Sequence, residues 1–209
     1  MTKILSLFFI FFLIISCATI STEYRYKKTD KGELYFPTFD AKKYKIDTVN
    51  NGPNDSLREF TNKWYSKHLY SLKEPILFNK KSEKVNIVRF THLGTWTNPY
   101  SYRIEQIENK FIVTYSKTNG LGGYEAGKRI KNKRKEIAET KWKQILTKMD
   151  EINFWQIPTQ DPNIINDGAE WIFEALIDGK YHFVVRNSPD HYGGKEYSEL
   201  CKLVENISK

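Results

Sequence analysis

Residues 167–189, D-G-A-E-W-I-F-E-A-L-I-D-G-K-Y-H-F-V-V-R-N-S-P, constrain what this chain can fold into more than any other stretch. Two runs rich in β-branched and aromatic residues flank Asp178-Gly179, and both positions of a two-residue type I′ turn require positive φ, which Asp and Gly tolerate. A two-residue loop also fixes the pairing. It sets Ile177 opposite Lys180, Ala175 opposite His182, Phe173 opposite Val184 and Trp171 opposite Arg186, while Leu176/Tyr181, Glu174/Phe183 and Ile172/Val185 point to the other face. Large apolar groups on both faces predict a ribbon covered on both sides and central in its sheet.

The first residues bear on where the protein goes. Lys3 supplies a positive start, residues 4–15 are an almost unbroken apolar run, and I-I-S-C follows at 14–17. Twelve helical residues span roughly 18 Å, too short for a hydrocarbon core of about 30 Å. The run reads as a signal peptide. The aliphatic residue three before Cys17 and the small residue just before it resemble the lipobox of bacterial lipoproteins, which implies cleavage after residue 16 and acylation of Cys17. The alternative is an ordinary secretory signal with an incidental cysteine. The expected layout is therefore a lipoprotein signal peptide at 1–16, a lipid-anchored tether at 17–32 and one α+β domain at 33–209, held at a membrane of the bacterial cell envelope. With Cys17 lipidated, Cys201 has no partner for a disulfide; its helical spacing with Tyr197, Leu200, Val204 and Ile207 predicts a buried apolar thiol.

Charge narrows the partners. The 33 basic and 25 acidic residues give a net charge of +8, which favours anionic surfaces in general. No nucleic-acid-binding motif accompanies it, so no nucleic-acid partner is expected. His68, His92, His182 and His191 show no metal-ligand spacing, and neither a metal nor another cofactor is expected.

Taken in order, residues 33–54 read as irregular. Asn54 or Asp55 is expected to cap a helix burying Leu57, Phe60, Trp64 and Leu69 on one face and ending before Pro75. Strands follow at 85–93, 100–107 and 111–115 as a meander. The glycine-rich stretch 118–128 lacks the ending of a phosphate-binding loop and reads as a mobile connection. Six of the eight residues at 128–135 are basic, and that run reads as a solvated loop. Thr140 caps a second helix with Trp142, Ile145, Leu146 and Met149 on one stripe, and a third helix spans about 195–207. The fold class is α+β: a three-stranded meander plus the D-G hairpin form an antiparallel sheet, with three helices mainly on one face.

R-F-T at 89–91, G-G-Y at 122–124, F-W at 154–155, D-G-A-x-W at 167–171, Glu174, G-K-Y-H at 179–182, Arg186 and Pro189 together resemble an uncharacterised family of small bacterial envelope proteins, often lipoproteins. The resemblance implies a single domain over about residues 55–205 and implies no activity. It weakens any case for His92 as a shared functional group, since the family pattern often has an aromatic residue at that position.

Asp167, Trp171, Glu174 and Arg186 are the candidate binding residues. The pairing sets Arg186 across from Trp171, where a guanidinium can stack on the indole, and an aromatic platform beside arginine suits carboxylate, phosphate or glycan ligands. The bland alternative is that this pair covers the core. Two functional classes stay open: a non-catalytic envelope module binding an anionic component or a protein, immunity lipoproteins included, and an envelope hydrolase using Asp167, Glu170 or Glu174 as acid and base. Glu170 and Glu174 lie roughly 13 Å apart along one strand face, too far for a tight carboxylate pair.

Overall fold

The computed structural model describes residues 29–43, 52–160 and 167–209. The expected signal peptide, Cys17 and most of the tether lie outside them. The described chain carries an antiparallel sheet of six strands and three α-helices, an α+β arrangement. The sheet strands are β3 (Ile87–Gly94), β4 (Tyr100–Ile107), β5 (Lys110–Thr118), β6 (Arg129–Ile137), β7 (Ala169–Ile177) and β8 (Lys180–Asn187), in the spatial order β6-β5-β4-β3-β7-β8. Two short strands, β1 (Thr38–Phe39) and β2 (Leu57–Arg58), pair in parallel outside this sheet. The helices are α1 (Glu59–Leu72), α2 (Glu139–Glu151) and α3 (Lys195–Ser208).

The hairpin forms as the D-G pair dictates. Asp178 and Gly179 sit at φ 50° and 76°, and every expected pair from Ile177↔Lys180 to Trp171↔Arg186 is present. Its placement differs from the expectation. β7 is internal, paired to β3, but β8 is the last strand of the sheet.

Other expectations also change. The meander has four strands, because the basic run forms β6, paired to β5. The helices divide between the two faces: Trp142, Ile145 and Met149 of α2 and Leu200, Cys201 and Val204 of α3 join Val88, Phe90, Phe173 and Val184, while Leu69 of α1 joins Tyr35, Phe36, Ile87, Ile172 and Phe183. α1 begins at Glu59 with Arg58 at its N-cap, so neither Asn54 nor Asp55 caps it and Leu57 belongs to β2. Phe60 is 79% exposed, and the helix buries Asn62, Tyr65, Ser66, His68, Leu69 and Leu72 instead. This rotation follows from polar partners. The Asn62 amide donates to the Phe36 carbonyl at 2.5 Å and to Thr38 Oγ1 at 2.8 Å, and Ser66 Oγ accepts from the Tyr35 amide at 2.9 Å. Buried polar groups must be bonded, so these bonds set which side of α1 turns inward.

The glycine-rich connection is pinned. The Gly122 amide donates to the Gly94 and Thr97 carbonyls at 3.0 and 3.1 Å, and the Asn98 side chain donates to the Gly120 carbonyl at 2.7 Å. A Cβ on Gly122 would lie 2.5 Å from the Leu93 carbonyl carbon, so this approach requires glycine.

Candidate functional site

Pairing across the sheet places the chemistry in rows. On the α1 face, one row runs Glu174, Arg89, Arg103, Thr114, Arg134, and a second runs Ile172, Thr91, Ser101, Ser116, Asn132. Half of this face is thus polar beneath α1. Arg89, entirely buried, donates from Nε and Nη2 to Glu174 Oε2 at 2.8 and 2.5 Å and from Nη1 to the Pro75 carbonyl at 2.7 Å. Tyr181 donates its hydroxyl to Glu174 Oε1 at 3.1 Å. Glu74, just past α1, accepts from Ser101 Oγ and from Arg103 Nη1, each at 2.8 Å. Burial pushes the Glu174 carboxyl upward against the pull of Arg89, while two carboxylates raise the Arg89 guanidinium despite its burial. Arg89 therefore stays a cation, and its two charge-assisted bonds oppose the effect of burial on Glu174.

The four candidate binding residues do not form one group. Glu174 lies within this buried network. Trp171 faces the opposite side of the sheet, 7% exposed, with its ring 5.4 Å from that of Phe90 and Lys202 Nζ at 5.6 Å above it. Arg186 is across from Trp171 as expected, but its guanidinium turns away, donating to the carbonyls of Pro158 at 2.8 Å and Val185 at 2.6 Å and lying 6.0 Å from the Tyr197 ring. Carbonyl acceptors on the neighbouring segment satisfy its planar fork better than an indole face does. Asp167 is exposed at the entry to β7, with φ 57°. Glu170, on the same face as Glu174, accepts from the Asn187 amide at 3.3 Å.

The opposite face brings together groups that sequence reasoning left apart. There the rows run Phe173, Phe90, Tyr102, Tyr115, Lys133 and Trp171, His92, Tyr100, Lys117, Lys131, followed by Ala175, Val88, Ile104, Val113, Lys135. Each passes from the core to a lysine at the edge. Tyr102 and Tyr115 stack with centroids 4.8 Å apart, and Tyr100 stacks on His92, also at 4.8 Å. Burial, aided by the Glu205 carboxylate of α3, pushes the Tyr102 phenol up to about 12, and the same two causes raise Tyr100 and Tyr115. All three phenols are thus protonated at neutral pH and able to donate. Burial lowers His92 to about 4, against the pull of Glu205 and Asp190, so it is neutral there.

β6 itself is the most exposed strand, with seven consecutive exposed residues between Arg129 and Ile137. Lys131, Lys133 and Lys135 project to the tyrosine face and Arg134 to the other, while Glu136 pairs with Lys110 at 3.3 Å. Trp96 and Tyr124, in the connections that follow β3 and precede β6, are exposed at 63% and 47% with rings 5.1 Å apart. The lysine row and the half-buried Tyr100 and Tyr115 inboard of it form a cationic, aromatic strip able to attract an extended anion. Its sequence signal was the Y-S-Y alternation at 100–102 with Tyr115, which a period-two reading puts on one face.

The chain matches no protein-family model and no curated protein. Among the described residues no helix is long and apolar enough to cross a membrane, and no cluster of three or more His, Cys, Asp or Glu side chains is placed to hold a metal ion.

Proposed function

We propose that the protein is a lipid-anchored module of the bacterial cell envelope that binds an anionic envelope component or a partner protein and catalyses no reaction. The observation that carries this reading is the row of Lys131, Lys133 and Lys135 along β6, the last strand of the sheet among the described residues, with Lys117 of β5 and the half-buried Tyr100 and Tyr115 next in from it. Lysines spaced by two along a strand present one row of positive charge, and the half-buried phenols of Tyr100 and Tyr115 beside them add donors. The reading needs neither a cofactor nor a metal, places the chain at the membrane through Cys17, and accords with the resemblance to small envelope lipoproteins.

Glu174 supports binding over hydrolysis. Its oxygens are engaged by Arg89 and Tyr181, and the side chain is wholly buried, whereas a general acid or base must reach its substrate. The test uses the full chain in neutral detergent on a polyglutamate matrix. Retention should fall as salt rises through about 0.15 M, where exposed charges are screened beyond roughly 8 Å, and should be lost in Lys131→Ala/Lys133→Ala/Lys135→Ala. Retention unchanged by both would reject the strip. For the anchor, Cys17→Ser should abolish acyl labelling and release the protein from membranes.

A further inference from the structure

We infer that the partner is a protein presenting an extended acidic segment, which joins β6 as a seventh strand. The inference rests on the binding reading above and specifies its ligand. β6 has nine residues and no proline, and it holds an unbroken register with β5 from Phe111↔Ile137 to Lys117↔Lys131, the irregularity coming only beyond, at Thr118. Its outer main-chain groups therefore keep regular strand spacing. Among the described residues no other segment hydrogen-bonds to that outer edge. At the other end of the sheet, by contrast, the Val185 amide donates to the Thr159 carbonyl at 2.7 Å and the Phe183 amide to Asp55 Oδ1 at 3.3 Å, which occupies the outer side of β8.

An open edge is a template for strand addition, and its side chains decide which strand is accepted. A second copy of β6 would set lysine against lysine, so the edge disfavours pairing with itself. An acidic strand meets the opposite condition. Lys131, Lys133 and Lys135 recur with period two on one face, so carboxylates at alternate positions of an added strand would stand beside them in register. A flexible anionic polymer or an anionic lipid surface would use the charge but not the main chain.

The experiment uses the full chain in neutral detergent with three nine-residue peptides: one alternating Thr and Glu, one of the same composition with its glutamates in a block, and the alternating one N-methylated at every second amide. The alternating peptide should bind about tenfold or more tightly than either control at about 50 mM salt. It should also slow hydrogen exchange of alternate amides within 129–137 and leave those of 180–187 unchanged. Reversing the strip with Lys131→Glu/Lys133→Glu/Lys135→Glu should transfer preference to an alternating Thr and Lys peptide. Equal binding of all three acidic peptides would overturn strand addition while leaving the anionic-partner reading intact. Binding of phosphatidylglycerol vesicles or an acidic glycan with no binding of the peptides would overturn the choice of a protein partner. Failure of every anion to bind would remove both readings.

Discussion

The two ends of the sheet solve the same problem in opposite ways. An edge strand offers unpaired main-chain groups, and at β8 the chain covers them itself. Asp55 and Thr159 accept from the edge amides, His182 bonds Asp55 Oδ1 at 2.7 Å and the Ile157 carbonyl at 3.0 Å, and Arg186 clasps Pro158. The strand so covered carries Tyr181, Phe183, Val184 and Val185, all buried. At β6 no described segment bonds to the outer main chain, Arg129 reaching only the Leu72 carbonyl by its side chain at 3.4 Å, and most of the seven exposed residues are basic. Where side chains are apolar, the edge needs chain laid over it; where they are lysine, repulsion suffices to keep copies apart and leaves the edge usable.

Substitutions can break that contrast. The largest effect should come from Arg89→Ala, which strips Glu174 of its cation in the buried centre and should lower stability by about 3–5 kcal/mol in denaturant melts. A double replacement, Arg89→Met with Glu174→Leu, should recover most of this loss, because an apolar pair of similar volume leaves no buried charge unpaired. If the double variant is no more stable than the single one, the network has a role beyond mutual neutralisation.

Acid should weaken the protein through His68. Burial, with Lys67 adding to it, lowers this imidazole from 6.5 to about 4, and the Gly122 backbone is close enough to favour the charged form slightly without bonding either ring nitrogen. The unfolded chain takes up its proton near 6.5 and the folded chain only near 4. The neutral ring's contribution is therefore whole above pH 6.5 and is lost as pH falls to about 4, at up to about 1.4 kcal/mol per pH unit. His68→Gln should remove this group's share of the slope when melts are repeated across this range, leaving the share of His92. A slope unchanged by the substitution would assign the acid sensitivity to other groups.

Opening the covered edge should have a smaller effect. Asp55→Ala leaves His182 Nδ1 and the Phe183 amide without their shared carboxylate partner and should cost about 1–3 kcal/mol, with faster exchange of β8 amides. Arg186→Ala should fall in the same range and combine additively with Asp167→Ala, the additivity expected of sites that do not touch. Smallest of all, Lys131→Ala, Lys133→Ala and Lys135→Ala should each shift stability by no more than about 0.5 kcal/mol and each weaken the retention on polyglutamate that the triple variant loses, since these side chains lie outside the core.

Legibility in the sequence followed the same divide. The hairpin was readable to the residue because Asp178-Gly179 admits few turn geometries, and α3 was readable because Tyr197, Leu200, Cys201 and Val204 keep a helical period against the core. β6 was not, because a strand exposed on both faces has no apolar alternation to reveal it, and R-I-K-N-K-R-K reads as a loop. Nor was the inward side of α1, where Asn62, Ser66 and His68 replace the apolar stripe and the aromatic Phe60 stays outside. The pairing of Arg89 with Glu174 joins residues 85 apart, a distance at which neither local pattern carries any trace of the other. Tyr100, Tyr102 and Tyr115 could have been placed on one face, but their importance depended on a neighbour that looked like a loop.

The cover over β8 also sets an order of events during folding. The hairpin closes over two residues, whereas Asp55 reaches Thr159 across 104 positions and His182 across 127. Closing such long loops is entropically costly and slow, so these contacts join after the hairpin and the β3–β7 pairing are in place. For that interval the newly made sheet shows its apolar margin of Tyr181, Phe183 and Val185 bare. The chain is thus most prone to associate with its own copies just before it finishes folding, and dilution or a transient binder of exposed strands should raise its refolding yield.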